Sequence, residues 1–245
     1  MSTTYLDGAV VVKVPRLPSA NMLMAAERAA LTDLASLTGE HTWLAPYFPR
    51  LTGTATVQDP SSGARREINA LAALVDGYLT LAEVAAHYPD GLDPRDYAWM
   101  HRRLLRSIAG AHLAGWVHGA IFADNVLIHP ELHGVVLIGW SYATPPGVPL
   151  AATIPGREYP PEVRAGEATS YESDVYLAHA LLLDVLGSRI PAPIRSFARG
   201  CMQDRPTARP SAVDLLDEYD ELLDRLYGER RFRPFQIPTR TTKGQ

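Results

Sequence analysis

The 245-residue chain has one cysteine, Cys201. A single cysteine excludes an intramolecular disulfide and a thiolate metal cluster, and it points to a reducing compartment. Cys201 is expected to fill space in the core rather than act as a nucleophile. Nowhere do about 18 apolar residues run together, so no transmembrane helix and no membrane partner are expected. The start, MSTTYLDGAVVVKV, lacks the basic residues and long apolar run of a signal peptide. These absences imply a cytoplasmic protein. An excess of positive charge is also missing: 23 Lys and Arg face 27 Asp and Glu. The net charge of −4 removes nucleic acid as the expected partner. There is no internal repeat and no low-complexity tract.

What is present suits one large domain or two small lobes, with 47% hydrophobic residues to supply a core. AVVVKV, residues 9–14, is short and β-branched and predicts a buried strand after an Asp-Gly turn. SANMLMAAERAALTDLASL, residues 19–37, spaces Met24, Leu31, Leu34 and Leu37 for one helix face. TATVQ and REINALAALV flank DPSSG, which reads as a hairpin. From about Thr80 the pattern turns helical. Asp93 is placed as an N-cap with Pro94 at the first helical position, and Trp99, Leu104, Leu105, Ile108 and Leu113 form an apolar face.

Two short strands follow, NVLIH and GVVLIGW, and then a Pro/Gly-rich loop over 144–164. Three helices are predicted, over 174–186, 193–202 and 211–227. The end, GERRFRPFQIPTRTTKGQ, is basic and reads as a solvated tail, with an acidic partner as the other reading. Strands segregated ahead of helices predict an α+β fold. The expected organisation is a small N-terminal lobe of strands plus one helix (1–78), a helical C-terminal lobe (79–228) and the basic, Pro-containing tail (229–245).

These segments, in this order, resemble the protein kinases over about 200 residues. Lys13 in VVVKV resembles the strand lysine that holds nucleotide phosphates, and Glu27 in AAERAAL its helix partner. LAALVDGYLTLAEV resembles the hinge between lobes. VHGAIFADNVLI matches H-R-D-x-x-x-x-N with His118 and Asn125 at the right separation. LIGWS falls where the metal-binding D-F-G belongs. YPPE, ending at Glu162, resembles A-P-E. Asp174 in SDVY resembles the buried aspartate that ties down the catalytic loop, and Arg209 in RPSA the partner of Glu162. The HG and DNVLI pair also resembles the aminoglycoside phosphotransferases, more weakly.

The resemblance implies a two-lobed kinase-like fold, and its gaps imply a pseudokinase. Upstream of Lys13 the only glycine is Gly8, so a reduced N-terminal lobe lacking the glycine-rich loop is expected. The catalytic Asp position is Ala120, and a methyl group accepts no proton. Losing a general base typically costs about 10²–10⁴ in rate. The metal Asp position is Gly139, followed by Trp140 and Ser141. Mg²⁺ is usually held by one or two carboxylates plus phosphates and waters, and Asn125 alone is neutral. Catalytic residues are therefore none, and no metal site is expected. Lys13, Glu27 and Asn125 remain as candidate nucleotide-binding residues, with His118, Glu162, Asp174 and Arg209 as structural ones.

Three functions follow from this. The first is a non-catalytic protein-binding scaffold or regulator. The second is a nucleotide or small-ligand sensor using the inter-lobe cleft, which a cleft filled by side chains such as Trp140 would rule out. The third is an atypical ATP-dependent phosphotransferase, with an inverted nucleotide orientation or with metal on Asp124 and Asn125. A protein partner is expected and no cofactor, with ATP and Mg²⁺ left open as doubtful. Oligomeric state and partner identity do not follow from the sequence.

Overall fold

The computed structural model describes residues 2–237. β1 (Ser2–Asp7) and β2 (Val10–Pro15) form a tight hairpin through Gly8, whose φ of +56° suits a residue without a Cβ. β1 was not anticipated from the sequence. It is an edge strand paired on one side only, so its largely exposed residues show no apolar alternation.

α1 (Asn21–Glu40) follows, led in by one 3₁₀ turn, and buries Met24, Glu27, Leu31 and Leu34 on one face. β3 (Leu51–Gln58) and β4 (Arg65–Ala72) make the second hairpin. Its turn closes on Asp59, whose carboxylate accepts the Ser61 and Ser62 N–H groups and pairs with Arg66. The Ser61 hydroxyl and then Arg66 hold that carboxyl well below the usual range. The sheet is fully antiparallel, in the order β1-β2-β4-β3.

The chain then crosses to the helical lobe through β5 (Leu79–Thr80) and α2 (Leu81–Ala85), which starts on a Thr80–Glu83 capping box. α3 (Pro94–Leu113) begins with the Asp93 carboxylate accepting the Arg95 N–H at 2.9 Å. β6 (Val126–His129) and β7 (Gly134–Leu137) pair with β5 in a second small sheet, order β5-β6-β7. α4 (Pro161–Arg164) is a single turn inside the long loop. α5 (Tyr171–Leu186), α6 (Ala192–Gly200) and α7 (Asp214–Tyr227) complete the lobe.

One apolar core runs through both parts, from Leu31, Leu34, Phe48 and Leu71 to the buried faces of α3, α5 and α7. Two details differ from the sequence expectation. Leu113, assigned to the apolar face of α3, is its last residue and is 64% exposed. In the described part of the tail, 229–237, most residues are exposed but Phe235 is 4% exposed and belongs to the main core; the rest of the tail, 238–245, lies outside the described residues. Cys201 is buried, and burial pushes its thiol up to about 12. It is therefore a thiol, not a thiolate, at neutral pH. Among the described residues no helix is long and apolar enough to cross a membrane.

Candidate inter-lobe site

Lys13 sits on β2 opposite Asn69 of β4. Its ammonium pairs with Glu27 of α1 and donates to the Ser141 hydroxyl at 3.1 Å. The other Glu27 oxygen accepts from the Asn69 amide at 3.1 Å, and the same amide donates to the Met24 carbonyl at 2.9 Å. Glu27 is 1% exposed. A carboxylate so buried persists only when paired and hydrogen-bonded, and Lys13 with Asn69 does both. The chain has only two lysines, Lys13 and Lys243, so its other basic positions are arginine. Sequence reasoning missed Asn69 and Ser141. Asn69 carried a signal, as the polar residue inside the apolar run INALA.

Beside this pair lies an open cavity of 340 Å³ between the two lobes. Its walls are largely apolar, including Val11, Met24, Leu71, Leu74, Leu127 and Ile138, with Lys13, Glu27 and Ser141 at one end. The size is at the small end of the range for ligand pockets. Trp140 does not fill it. The indole is fully buried elsewhere, edge-on to Phe48 and His118, with Nε1 donating to the Leu137 carbonyl at 2.8 Å.

The segment 117–125 runs beneath the cavity. His118 is fully buried. Its Nε2 lies 2.9 Å from the Ile138 carbonyl and its Nδ1 accepts the Ala120 N–H at 3.2 Å. That pattern requires the neutral ring with the proton on Nε2. Burial agrees, lowering the imidazole below its ordinary value. Asp174 of α5, fully buried, accepts the His118 and Gly119 N–H groups at 2.7 and 2.9 Å, and His112 Nε2 lies 3.2 Å away. Gly119 has φ +71°, and a Cβ there would meet Leu150 of the long loop at 2.6 Å. The left-handed φ, more than the yielding Leu150 side chain, accounts for glycine in the place of the motif's arginine.

Ala120 is fully buried and offers only its backbone, whose carbonyl accepts from the Asn125 amide at 2.8 Å. Asn125 is further held by its own N–H to Phe122 and by its carbonyl to the Ile138 N–H. The carboxamide then rests on Gly139, which has φ +89°; a Cβ at 139 would sit 2.5 Å from Asn125 Cγ and Oδ1. The adjacent Asp124 is exposed and pairs with Arg157, whose guanidinium also lies over Phe122 at 5.5 Å. Mg²⁺ asks for carboxylate oxygens, and the near carboxylates are committed: Glu27 to Lys13 and Asp124 to Arg157. The residues present do not fit a nucleotide-bound metal. Among the described residues no three His, Cys, Asp or Glu side chains converge on a metal position.

Glu162 and Arg209 meet away from the cavity. The guanidinium grips both carboxylate oxygens, at 2.7 and 2.9 Å, and gives its remaining donors to the carbonyls of Glu172, Gln203 and Asp204. Ser173 donates to Glu162 at 2.8 Å. Burial pushes this carboxyl up, but Arg209 and the other donors outweigh it and the net shift is downward. The pair clamps α4, α5 and the 203–209 turn together.

No family model and no curated protein matches the chain. Among solved structures, that of vaccinia related kinase 3 superimposes with a TM-score of 0.68 at 16% identity. It covers 89% of this chain and 80% of that one. The chain therefore has a protein-kinase-like fold, with an antiparallel sheet in the N-terminal part and a helical C-terminal part.

Proposed function

We propose that this chain is a kinase-fold protein that transfers no phosphate and works as a scaffold or regulator by holding a partner protein. The observation that carries the reading is the Asn125 carboxamide resting on Gly139, beside a buried Ala120. Phosphoryl transfer depends on positioning and on stabilising charge. Here the base position bears a methyl group and the metal position bears none. Labelled ATP, offered with Mg²⁺ or Mn²⁺ and with general protein acceptors, is expected to give no transfer. Transfer that disappears in Asn125→Ala would overturn the reading.

A second reading is favoured by one observation, the open cavity that ends at Lys13 and Ser141. In it the cleft senses a nucleotide or another small ligand without metal. Calorimetry with ATP would then give the same affinity with and without Mg²⁺, lost in Lys13→Ala. The third reading, a phosphotransferase with metal on Asp124 and Asn125, is disfavoured by the Arg157–Asp124 pair.

A further inference from the structure

After α7 the chain turns at Gly228, φ +75°, and doubles back over α3. Phe235 anchors this strap, stacked on Tyr88 and edge-on to Trp99, with ring centroids 6.4 and 6.2 Å apart. Arg233 adds ion pairs to Asp93 and Asp96. Nearer α7, Phe232 stacks on His133 at 4.8 Å, and His133 stacks in turn on Trp99 at 4.2 Å. His133 holds a left-handed backbone, φ +51°, unusual outside glycine.

The docked strap brings Arg230 and Arg231 into one groove wall with Arg102 of α3, within electrostatic reach of Arg103 and Arg106. Between strap, α3 and the end of α7 runs an open groove of 590 Å³, whose walls include Trp99, Arg102, Arg230, Arg231 and Phe232. Its carboxylates are outnumbered by its arginines. Asp220 pairs with Arg102; Asp93 and Asp96 take Arg95 and Arg233; Asp224 and Glu229 stand among the lining residues. Among the described residues Arg103, Arg106, Arg230 and Arg231 form no ion pair. Arg102 is 7% exposed and its Nε has no hydrogen-bond partner. Burial first, then the neighbouring guanidinia, lower the Arg230 pKa, against Asp220, which raises it. This is a cationic island on a chain of net charge −4.

We propose that the groove binds an acidic segment of a partner protein through clustered carboxylate or phosphate-monoester groups. Guanidinium forks match both anions bidentately. Phe232, 76% exposed, offers an apolar ring beside the charge for a neighbouring side chain of the same segment. Because Arg230 and Arg231 are carried by the strap, Phe235 docking builds the site. The inference rests on the reading that the chain works by holding a partner, and it gives that partner a surface and a chemistry.

Fluorescence polarisation with the full chain tests it. The probes are a fluorescein-labelled octaglutamate peptide, a phosphoserine peptide of equal length, its unphosphorylated twin, and a 12-nucleotide oligothymidylate. At least one anionic peptide should bind and the neutral twin should not, with affinity falling as salt rises. Arg230→Ala combined with Arg231→Ala, both on the exposed strap, should weaken binding at least tenfold, and so should Phe235→Ala. Which anionic peptide binds tells carboxylate from phosphate. The proposal is overturned if neither binds, if the double variant binds as well as the parent, or if the oligonucleotide binds more tightly than both. The labelled-ATP assay on the same preparation keeps the two readings apart. Phosphate transfer would sink the non-catalytic reading without touching the groove, and absent peptide binding would sink the groove without touching that reading.

Discussion

The Asn125 carboxamide lies against Gly139, where a Cβ would approach it to 2.5 Å. Three hydrogen bonds fix Asn125 in that place: to the Ala120 carbonyl, to Phe122 and to Ile138. The two positions are thus mutually adapted, the glycine making room that the amide takes up. Gly139 also adopts φ +89°, which L-residues resist. Gly139→Ala is therefore expected to cost about 1–3 kcal/mol in urea unfolding. Part of the loss should return when Asn125→Ala is added, because the two sites share one space. Gly139→Asp together with Ala120→Asp should restore no phosphate transfer. Full stability in Gly139→Ala would show that the amide yields easily.

Glu27 depends on Lys13 in the same reciprocal way. With 1% of its surface exposed, Glu27 has two partners, the Lys13 ammonium and the Asn69 amide. Lys13→Met leaves a buried carboxylate without its cation, a loss of about 3–5 kcal/mol for such pairs. Lys13→Met with Glu27→Gln should lose less than the first change alone. Chemical denaturation of the two variants tests this, and equal losses would mean that the pair is not coupled.

Much of this architecture was legible in the sequence, for identifiable reasons. The strand around Lys13 is a short β-branched run and the helix around Glu27 spaces its apolar residues on one face, and both form. The kinase-like order of segments led to the fold that the superposition shows. What stayed hidden was long-range. Asn69 and Ser141 join Lys13 and Glu27 only once β4 and the segment after β7 meet α1. The docking of Phe235 is hidden in the sequence because ERRFRPF, charged and mostly exposed, carries no sign that Tyr88 and Trp99 receive its last ring. The apolar face of α3 was drawn one turn too far, since Leu113 falls where the helix leaves the core.

Arg209 uses all its donor groups on Glu162 and three carbonyls. It also lies over Tyr176 at 5.0 Å. Lysine cannot reproduce the two-pronged grip or the planar stacking. Arg209→Lys is therefore not conservative here and should cost about 3 kcal/mol or more, as breaking a buried pair does. Differential scanning calorimetry reads the effect as a fall in Tm. A Tm equal to the parent's would mean that the clamp contributes little.

His101 and His179 set the response to acid. Both are fully buried, with rings 5.0 Å apart, and Tyr97 and Tyr219 pack around His101. His179 Nδ1 donates to the Val175 carbonyl at 2.8 Å, while His101 has no hydrogen-bond partner on either nitrogen. Burial lowers both, His179 to about 4 and His101 well below its ordinary value. The folded chain therefore keeps them neutral, while the unfolded chain takes up protons near pH 6.5. Stability is full above that value and falls as pH drops from about 6.5 toward 4, by up to about 1.4 kcal/mol per pH unit for each histidine. The depressed carboxyls, Asp59 and Glu162, act only below their unfolded values near 4, while Asp96, raised by burial, works against the trend as it takes up a proton, so histidine dominates the window from pH 6.5 to 5. His118 and His133, lowered by burial too, add to the same slope. Urea midpoints at pH 7.5, 6.5 and 5.5 should fall steadily. His101→Phe, which removes two unpartnered nitrogens and keeps the ring contacts, should flatten the slope by about one proton. A slope unchanged in His101→Phe would mean that His101 is not a source of the acid sensitivity.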